Sequence, residues 1–498
     1  MDPEPHRDHF ARRASVAAAA LVVLASVGAL VAVRRPAPGA PAARTPSPVS
    51  PLPRSLRPNL LFVNSDDQRS DTLEVMPKTL RWFNLRFDNA FVTTPLCCPS
   101  RASALTGLYE HHTHVSINNH DAFQPLEPES LGPWLQSLGY RTGFVGKYFN
   151  ALNRDVKVPQ GWDEFHALVW DNVGHDIGDR YTTFVLREAW TDNGGSKRQR
   201  LVAYPNRRFP AAYSTDVFAA LAVQFLERAA RDRAAGDDRP WALLVWPNAP
   251  NGRTPAARHA DAPLPPWDPP PSFLETDMSD KPAEVTDGRY VRDTRAFHER
   301  IRGVQLRMVM GVDDLVDRVF ERIEDDGAID STWAVYTSDN GRLWGEHRLW
   351  QKLLAYEEGV RVPFLMRVPG ETRRRFDEIV ANIDIAPTLV DLAGDPRDHG
   401  FDGRSLVPLV TGRSGRWRTA LLLEHEGRAE RYTAVRTSRW KLIRWTDSGH
   451  EELYDLRADP YELANVAVSN PAEVERLVRL MGELRRSGTP RPVPVPTP

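Results

Sequence analysis

Short apolar runs punctuate this chain, and three of them stop at polar clusters. Asn59-Leu60-Leu61-Phe62-Val63-Asn64 ends at Ser65-Asp66-Asp67. Trp241 to Trp246 ends at Pro247-Asn248-Ala249-Pro250, and Trp333 to Thr337 ends at Ser338-Asp339-Asn340-Gly341. Runs of this length without alternation read as strands buried on both faces. Between them apolar residues recur at helical spacing, at Val217, Leu221 and Phe225 and again at Val312, Leu315, Val319 and Ile323. Strands alternating with helices predict an α/β fold with a large, mostly parallel central sheet flanked by helices. The polar clusters then lie past strand C-terminal ends, where open α/β sheets collect ligands.

The pattern changes after Gly394-Asp395-Pro396. Leu421-Leu422-Leu423-Glu424, Tyr432-Thr433-Ala434-Val435, Trp440-Lys441-Leu442-Ile443 and Glu452-Leu453-Tyr454 read as short strands, with a hairpin turn at Asp447-Ser448-Gly449. They predict a smaller C-terminal antiparallel-sheet subdomain, closed by a helix from Pro471 to Arg486. The expected order is a basic region at 1–13, an apolar helix at 14–33, a linker at 34–57, a main domain at 58–395, the C-terminal subdomain at 396–488 and a disordered Pro-rich tail at 489–498.

Ala14 to Val33 is almost wholly apolar between Arg12-Arg13 and Arg34-Arg35. About 20 residues at roughly 1.5 Å each match a hydrocarbon core of about 30 Å. The segment is either a signal anchor or a long cleavable export signal, and basic residues on both sides leave its orientation open. Pro36 to Pro58 suits an extended tether. The favoured reading places the rest of the chain outside the cytoplasm, anchored or secreted. With a formal net charge of -2 over 498 residues, nothing points to nucleic acid as a partner. The two cysteines are adjacent, so a disulfide framework is not expected.

Asp66-Asp67 alone is a common loop feature, and Asp339-Asn340-Gly341 alone is a common turn. Together they offer three carboxylates and an amide oxygen, hard ligands suited to Ca²⁺, with Mg²⁺ the alternative. Cys97-Cys98-Pro99-Ser100-Arg101, followed by Leu105-Thr106-Gly107, resembles the maturation motif of the sulfatase family. Further blocks keep that family's order: Asn59 through Asp67-Gln68-Arg69, then Ser338-Asp339-Asn340-Gly341, Gly345-Glu346-His347 and Lys352. Tyr356-Glu357-Glu358, Arg361-Val362-Pro363, Asp384-Ile385-Ala386-Pro387 and Leu453-Tyr454-Asp455-Leu456 continue it.

The resemblance implies an alkaline-phosphatase-like fold and a sulfuric ester hydrolase, with each role carried over by position. A maturation enzyme would convert Cys97 to formylglycine, whose hydrate attacks sulfur, expels the alcohol and leaves a sulfated hemiacetal that collapses to the aldehyde. Asp66, Asp67, Asp339 and Asn340 would hold the metal. Arg101 would brace the nucleophile, and Lys147 and Lys352 would grip the sulfate oxygens. A helix running on from Cys97 would add N-terminal amides that favour an anion.

Two departures stand out. Gly146-Lys147-Tyr148-Phe149-Asn150 replaces the commoner Gly-Lys-x-His and looks like the N-acetylglucosamine-6-sulfatase and heparan endosulfatase branch, as does His111-His112-Thr113-His114. Asn150 and His114 are therefore expected to bind substrate, a sulfate ester of an amino sugar or glycan, and an eliminating base is sought among His111, His112 and His114. Ala249-Pro250-Asn251 stands where the family usually has Ala-Pro-His. Asparagine can donate a hydrogen bond to the leaving oxygen but cannot deliver a proton. His347 is the expected substitute, with His259 a more distant one. Asn251 also motivates a second reading, a sulfated-glycan binder with impaired catalysis, and a phosphodiester or phosphonate hydrolase using the same aldehyde and metal is a third.

Overall fold

The computed structural model describes residues 57–155, 157–170, 179–192, 196–286, 291–427 and 430–487. The apolar segment at 14–33, most of the linker and the tail at 489–498 lie outside these residues. Among the described residues no helix is long and apolar enough to cross a membrane.

A ten-stranded sheet forms the centre. From one edge to the other its strands are Arg374–Phe376, Leu85–Phe87, Phe364–Arg367, Thr332–Ser338, Asn59–Ser65, Trp241–Trp246, Arg141–Gly146, Glu164–Leu168, Phe184–Thr191 and Lys197–Tyr204. The run from Thr332–Ser338 to Glu164–Leu168 is parallel throughout. Antiparallel pairings join Phe364–Arg367 to both its neighbours and add the Phe184–Tyr204 hairpin at the other edge. The sheet is thus mixed, with its parallel part concentrated where the ligand-collecting ends lie.

Strand Asn59–Ser65 shows why an unbroken apolar run was needed. Leu60 and Phe62 enter one core with Phe144 and Trp246, while Leu61 and Val63 enter the core on the other face with Val245 and Val312. Helices Ser214–Ala234 and Arg295–Asp325 cover that second face, the latter through Val309, Val312, Val316, Val319 and Ile323. Each fully buried aliphatic side chain contributes roughly 1.5–3 kcal/mol relative to exposure, so a polar substitution on either face would disrupt a core.

The C-terminal part forms a four-stranded antiparallel meander, Ala420–His425, Tyr432–Thr437, Trp440–Trp445 and Glu451–Asp455, as the sequence predicts. Helix Pro471–Arg486 packs on it through Val474, Leu477 and Met481. This sheet reaches under the main one. Lys441 Nζ donates to Ala355 O at 2.8 Å and pairs with Glu357, and Tyr356 donates to Glu452 at 2.9 Å.

Candidate active site

Parallel register sets the site. Ser65 lies opposite Ser338, so Asp66 and Asp339 leave adjacent strands side by side. Asp339 N donates to Ser65 O at 3.0 Å, and Asp66 N donates to Ala249 O at 3.1 Å across the other neighbour. Lys147 enters from the next strand, its N–H donating to Trp246 O at 2.8 Å. That approach requires Gly146, which has φ 120°, and a Cβ there would lie 2.0 Å from Trp246 O. Gly341 is required for a similar reason, since a Cβ would meet Glu358 O at 2.1 Å.

Helix Cys97–Thr106 closes the site from the first core face. It begins at Cys97 and stops at Gly107, whose positive φ accommodates the left-handed cap. Cys98 N, in its first turn, donates to Asn118 Oδ1 at 2.9 Å. Cys97 Sγ is held among charges, 3.7 Å from Asp66 Oδ1 and 2.8 Å from Lys352 Nζ. One turn on, Arg101 bridges the acids: Nε donates to Asp339 Oδ2 at 2.8 Å and Nη2 to Asp66 Oδ2 at 3.1 Å. Its remaining donor reaches Lys147 O.

Asp66, Asp67, Cys97 and Asp339 each offer a ligand atom within 4.8 Å of the others. These carboxylates are fully buried, which isolated charges could not be. Cations neutralise them: Lys147 bonds Asp66, Lys352 bonds Asp67, Arg101 spans Asp66 and Asp339, and Arg342 Nη1 reaches Asp67 Oδ2 at 2.8 Å. Asn340 donates through Nδ2 to Asp67 at 2.7 Å, while its buried Oδ1 has no hydrogen-bond partner. A buried amide oxygen with no donor, beside three carboxylates, is the donor set a hard divalent cation satisfies. The residues present fit such an ion.

Electrostatics follow the same arrangement. Burial opposes the Asp66 charge, but Lys147, Arg101 and Lys352 outweigh it and hold the carboxyl below its usual range. Asp339 is pushed up by burial and then by Asp66. Burial, reinforced by Asp66, pushes the Cys97 thiol up to about 11. An unmodified thiol held that way is a poor nucleophile at neutral pH.

Asn251 reaches the cluster, with Nδ2 donating to Asp66 Oδ1 at 2.8 Å. Its backbone carbonyl accepts from Tyr181 at 2.9 Å, which fixes the loop. Asn150 lies behind the nucleophile, its N–H 3.3 Å from Cys98 Sγ. His114 is exposed at the end of helix Glu110–Thr113, and among the described residues nothing bonds it to the cluster. His347 is fully buried in a separate acidic group with Glu358 and Glu462, and its Nδ1 lies 2.6 Å from Glu275. His111, His112 and His259 pair with Glu424, Asp402 and Asp314. The histidines considered as proton carriers are thus bonded elsewhere or exposed, and of the residues considered for leaving-group assistance it is Asn251 that meets Asp66. Sequence reasoning missed Arg342, whose only signal was its position three residues after Asp339.

Beside Asp66 and Asn251 a cleft of about 360 Å³ opens, walled by Trp170, Arg180, Tyr181 and Arg253 among others. A larger groove at the opposite strand ends holds the ion pairs Arg141–Asp232 and Arg228–Glu164.

With this geometry in place, comparison with known proteins decides the family. Residues 58–395 match the family model described as Sulfatase. The chain belongs to the sulfatase family. Residues 345–487 also match the model described as N-sulphoglucosamine sulphohydrolase, C-terminal, which overlaps the first across the Lys352 loop. The chain is 31% identical to the extracellular sulfatase SULF-1 homologue of Drosophila melanogaster over 78% of its own length, but spans only 35% of that relative. It is 27% identical to the human N-acetylglucosamine-6-sulfatase, covering 82% of this chain and 81% of that one. Among solved structures it resembles BT4656 in complex with its substrate, D-glucosamine-2-N,6-O-disulfate. The TM-score is 0.69, with 24% identity over 86% of this chain and 98% of that one. These likenesses agree with the expected branch and with the alkaline-phosphatase-like fold.

Proposed function

We propose that this sulfatase-family protein hydrolyses sulfate monoesters of amino sugars, using a formylglycine formed from Cys97 and a divalent cation, Ca²⁺ in preference to Mg²⁺. The observation that carries the reading is the meeting of Cys97 with Asp66, Asp67 and Asp339 within 4.8 Å, drawn from three separate segments. Asp66, Asp67, Asp339 and Asn340 would hold the cation, which when bound polarises the sulfate and offsets charge repulsion. Position 97, once oxidised and hydrated, would supply the attacking oxygen.

The chain's own residues do the remaining work. Lys352 stands beside position 97 and Lys147 beside Asp66, where both can hold sulfate oxygens as charge builds. Arg101 is locked by two carboxylates and a carbonyl, so it orients the nucleophile without moving. Asn251 donates a hydrogen bond where the leaving oxygen departs, and transfers no proton.

The likeness to N-acetylglucosamine-6-sulfatase, and to a fold neighbour whose substrate is D-glucosamine-2-N,6-O-disulfate, supports an amino-sugar sulfate. The SULF-1 relative's extracellular designation supports export, with the segment at 14–33 either retained as an anchor or cleaved. A maturation enzyme outside this chain would perform the oxidation. The deciding experiment is mass spectrometry of the tryptic peptide Phe87–Arg101 from the native host, with hydrolysis of N-acetylglucosamine 6-sulfate measured on the same protein. Formylglycine with turnover is the expected result. Unmodified Cys97 in folded, exported protein would overturn it and leave a sulfated-glycan binder.

A further inference from the structure

Resting on the sulfate-ester reading, we propose that the cleft beside Asp66 is a subsite for a second anionic group on the substrate, with Arg180 its principal contact. Arg180 is about half buried in a wall of this cleft. Its guanidinium lies 3.4 Å from the centroid of the Trp170 ring, stacked rather than ion-paired. Among the described residues no carboxylate pairs with it, and its buried Nε has no hydrogen-bond partner. The carboxylate of the neighbouring Asp179 is directed instead to the amides of Tyr181, Thr182 and Thr183 and to the Thr182 hydroxyl.

A partly desolvated arginine with no counter-ion among the described residues is costly unless something anionic completes it. Its setting is built rather than loose. Arg180 O accepts from Asn248 Nδ2 at 3.3 Å, Arg180 N donates to Thr183 O at 3.1 Å, and Tyr181 Oη donates to Asn248 O at 2.8 Å. Asn248 and Asn251 belong to one loop, so the backbone of Arg180 is tied to the loop whose Asn251 touches Asp66. Arg253 lies in the same wall and adds a second positive charge. Trp170 also faces Lys147 Nζ, 5.0 Å from its ring centroid, and so joins the reacting end to the subsite. A planar fork with free donors suits a sulfate or carboxylate. The substrate class is therefore a sugar carrying two anionic groups, one cleaved at Cys97 and one held at Arg180.

The test compares glucosamine 2-N,6-O-disulfate with N-acetylglucosamine 6-sulfate on the full, matured enzyme. The wild type is expected to favour the disulfate in kcat/KM, and Arg180→Met to reduce that preference about tenfold, the scale of one charge-assisted hydrogen bond. Arg180→Lys, which keeps the charge, should recover part of it. Calorimetric binding of the disulfate gives the same comparison without turnover. No preference in the wild type, or equal losses on both sugars in Arg180→Met, would overturn the subsite while leaving sulfate hydrolysis standing. Failure of the wild type to hydrolyse either sugar or 4-nitrophenyl sulfate would instead overturn the hydrolase reading, with binding still reporting on Arg180.

Discussion

Lys352 Nζ stands 2.8 Å from Cys97 Sγ, although the two residues are 255 positions apart in the chain. The loop that carries Lys352 is tied to the segment before the cysteine, where Leu353 N donates to Pro95 O at 3.2 Å. The loop backbone is thus held against the cysteine's segment, and the ammonium at its end is held by Asp67.

Replacing that charge should therefore damage turnover more than folding. Lys352→Met is expected to lower kcat about 10²–10³-fold, the usual cost of losing one preorganised donor. Steady-state kinetics beside a thermal melt would check this, and an unchanged kcat would remove Lys352 from the reaction.

The carboxylate cluster predicts metal-linked stability. Ca²⁺ at about 100 times its Kd should add roughly 2.7 kcal/mol to the wild type by mass action. Asp339→Asn should abolish most of that gain, and chelation should end hydrolysis reversibly. Differential scanning calorimetry with and without Ca²⁺ reads it directly.

Asn251 predicts an unusual dependence on the leaving group. Asn251→His supplies a proton donor and should speed an alkyl sulfate about tenfold or more, within the range of general acid catalysis. An aryl sulfate, whose alcohol leaves readily, should change little. The gain should fade as pH rises through the introduced imidazole's pKa, because only its protonated form donates. A pH–rate profile with both esters separates these cases.

A structural acid gives a separate pH prediction. Burial opposes the Glu164 charge, but His166 and Arg228 outweigh it and lower the carboxyl from 4.5 to about 2. The folded state holds this group ionised more strongly than the unfolded chain does. Its stabilisation is therefore complete above pH 4.5 and is lost as pH falls toward 2. Glu164→Gln should cost about 2–3 kcal/mol at pH 7 and flatten the acid limb. Urea melts at pH 7, 5 and 3 would test it.

The sequence exposed what local pattern can carry. Asn59–Ser65 and Trp241–Trp246 were legible because both faces are buried, and Asp66 and Asp339 because they end such strands. The antiparallel strands Phe184–Thr191 and Lys197–Tyr204 were not legible in this way. The outer strand is mostly exposed and rich in Lys and Arg, as an unpaired sheet edge should be, so it lacks an apolar signal. Lys147 and Lys352 were placed through family resemblance, since a lone lysine carries no sign of what it meets. Arg342 and Arg180 had no such help, because their roles arise only from tertiary approach. His347 was expected near the reaction for its neighbourhood in sequence, but its turn points it to Glu275.

The contacts of Lys441 with Ala355 and Glu357, and of Glu452 with Tyr356, place the C-terminal sheet directly behind the Lys352 loop. The second family model likewise begins at residue 345, inside the first. The two sheets are not interchangeable modules joined at a seam near 395. A chimera cut there would exchange the backing of the Lys352 loop along with the tail.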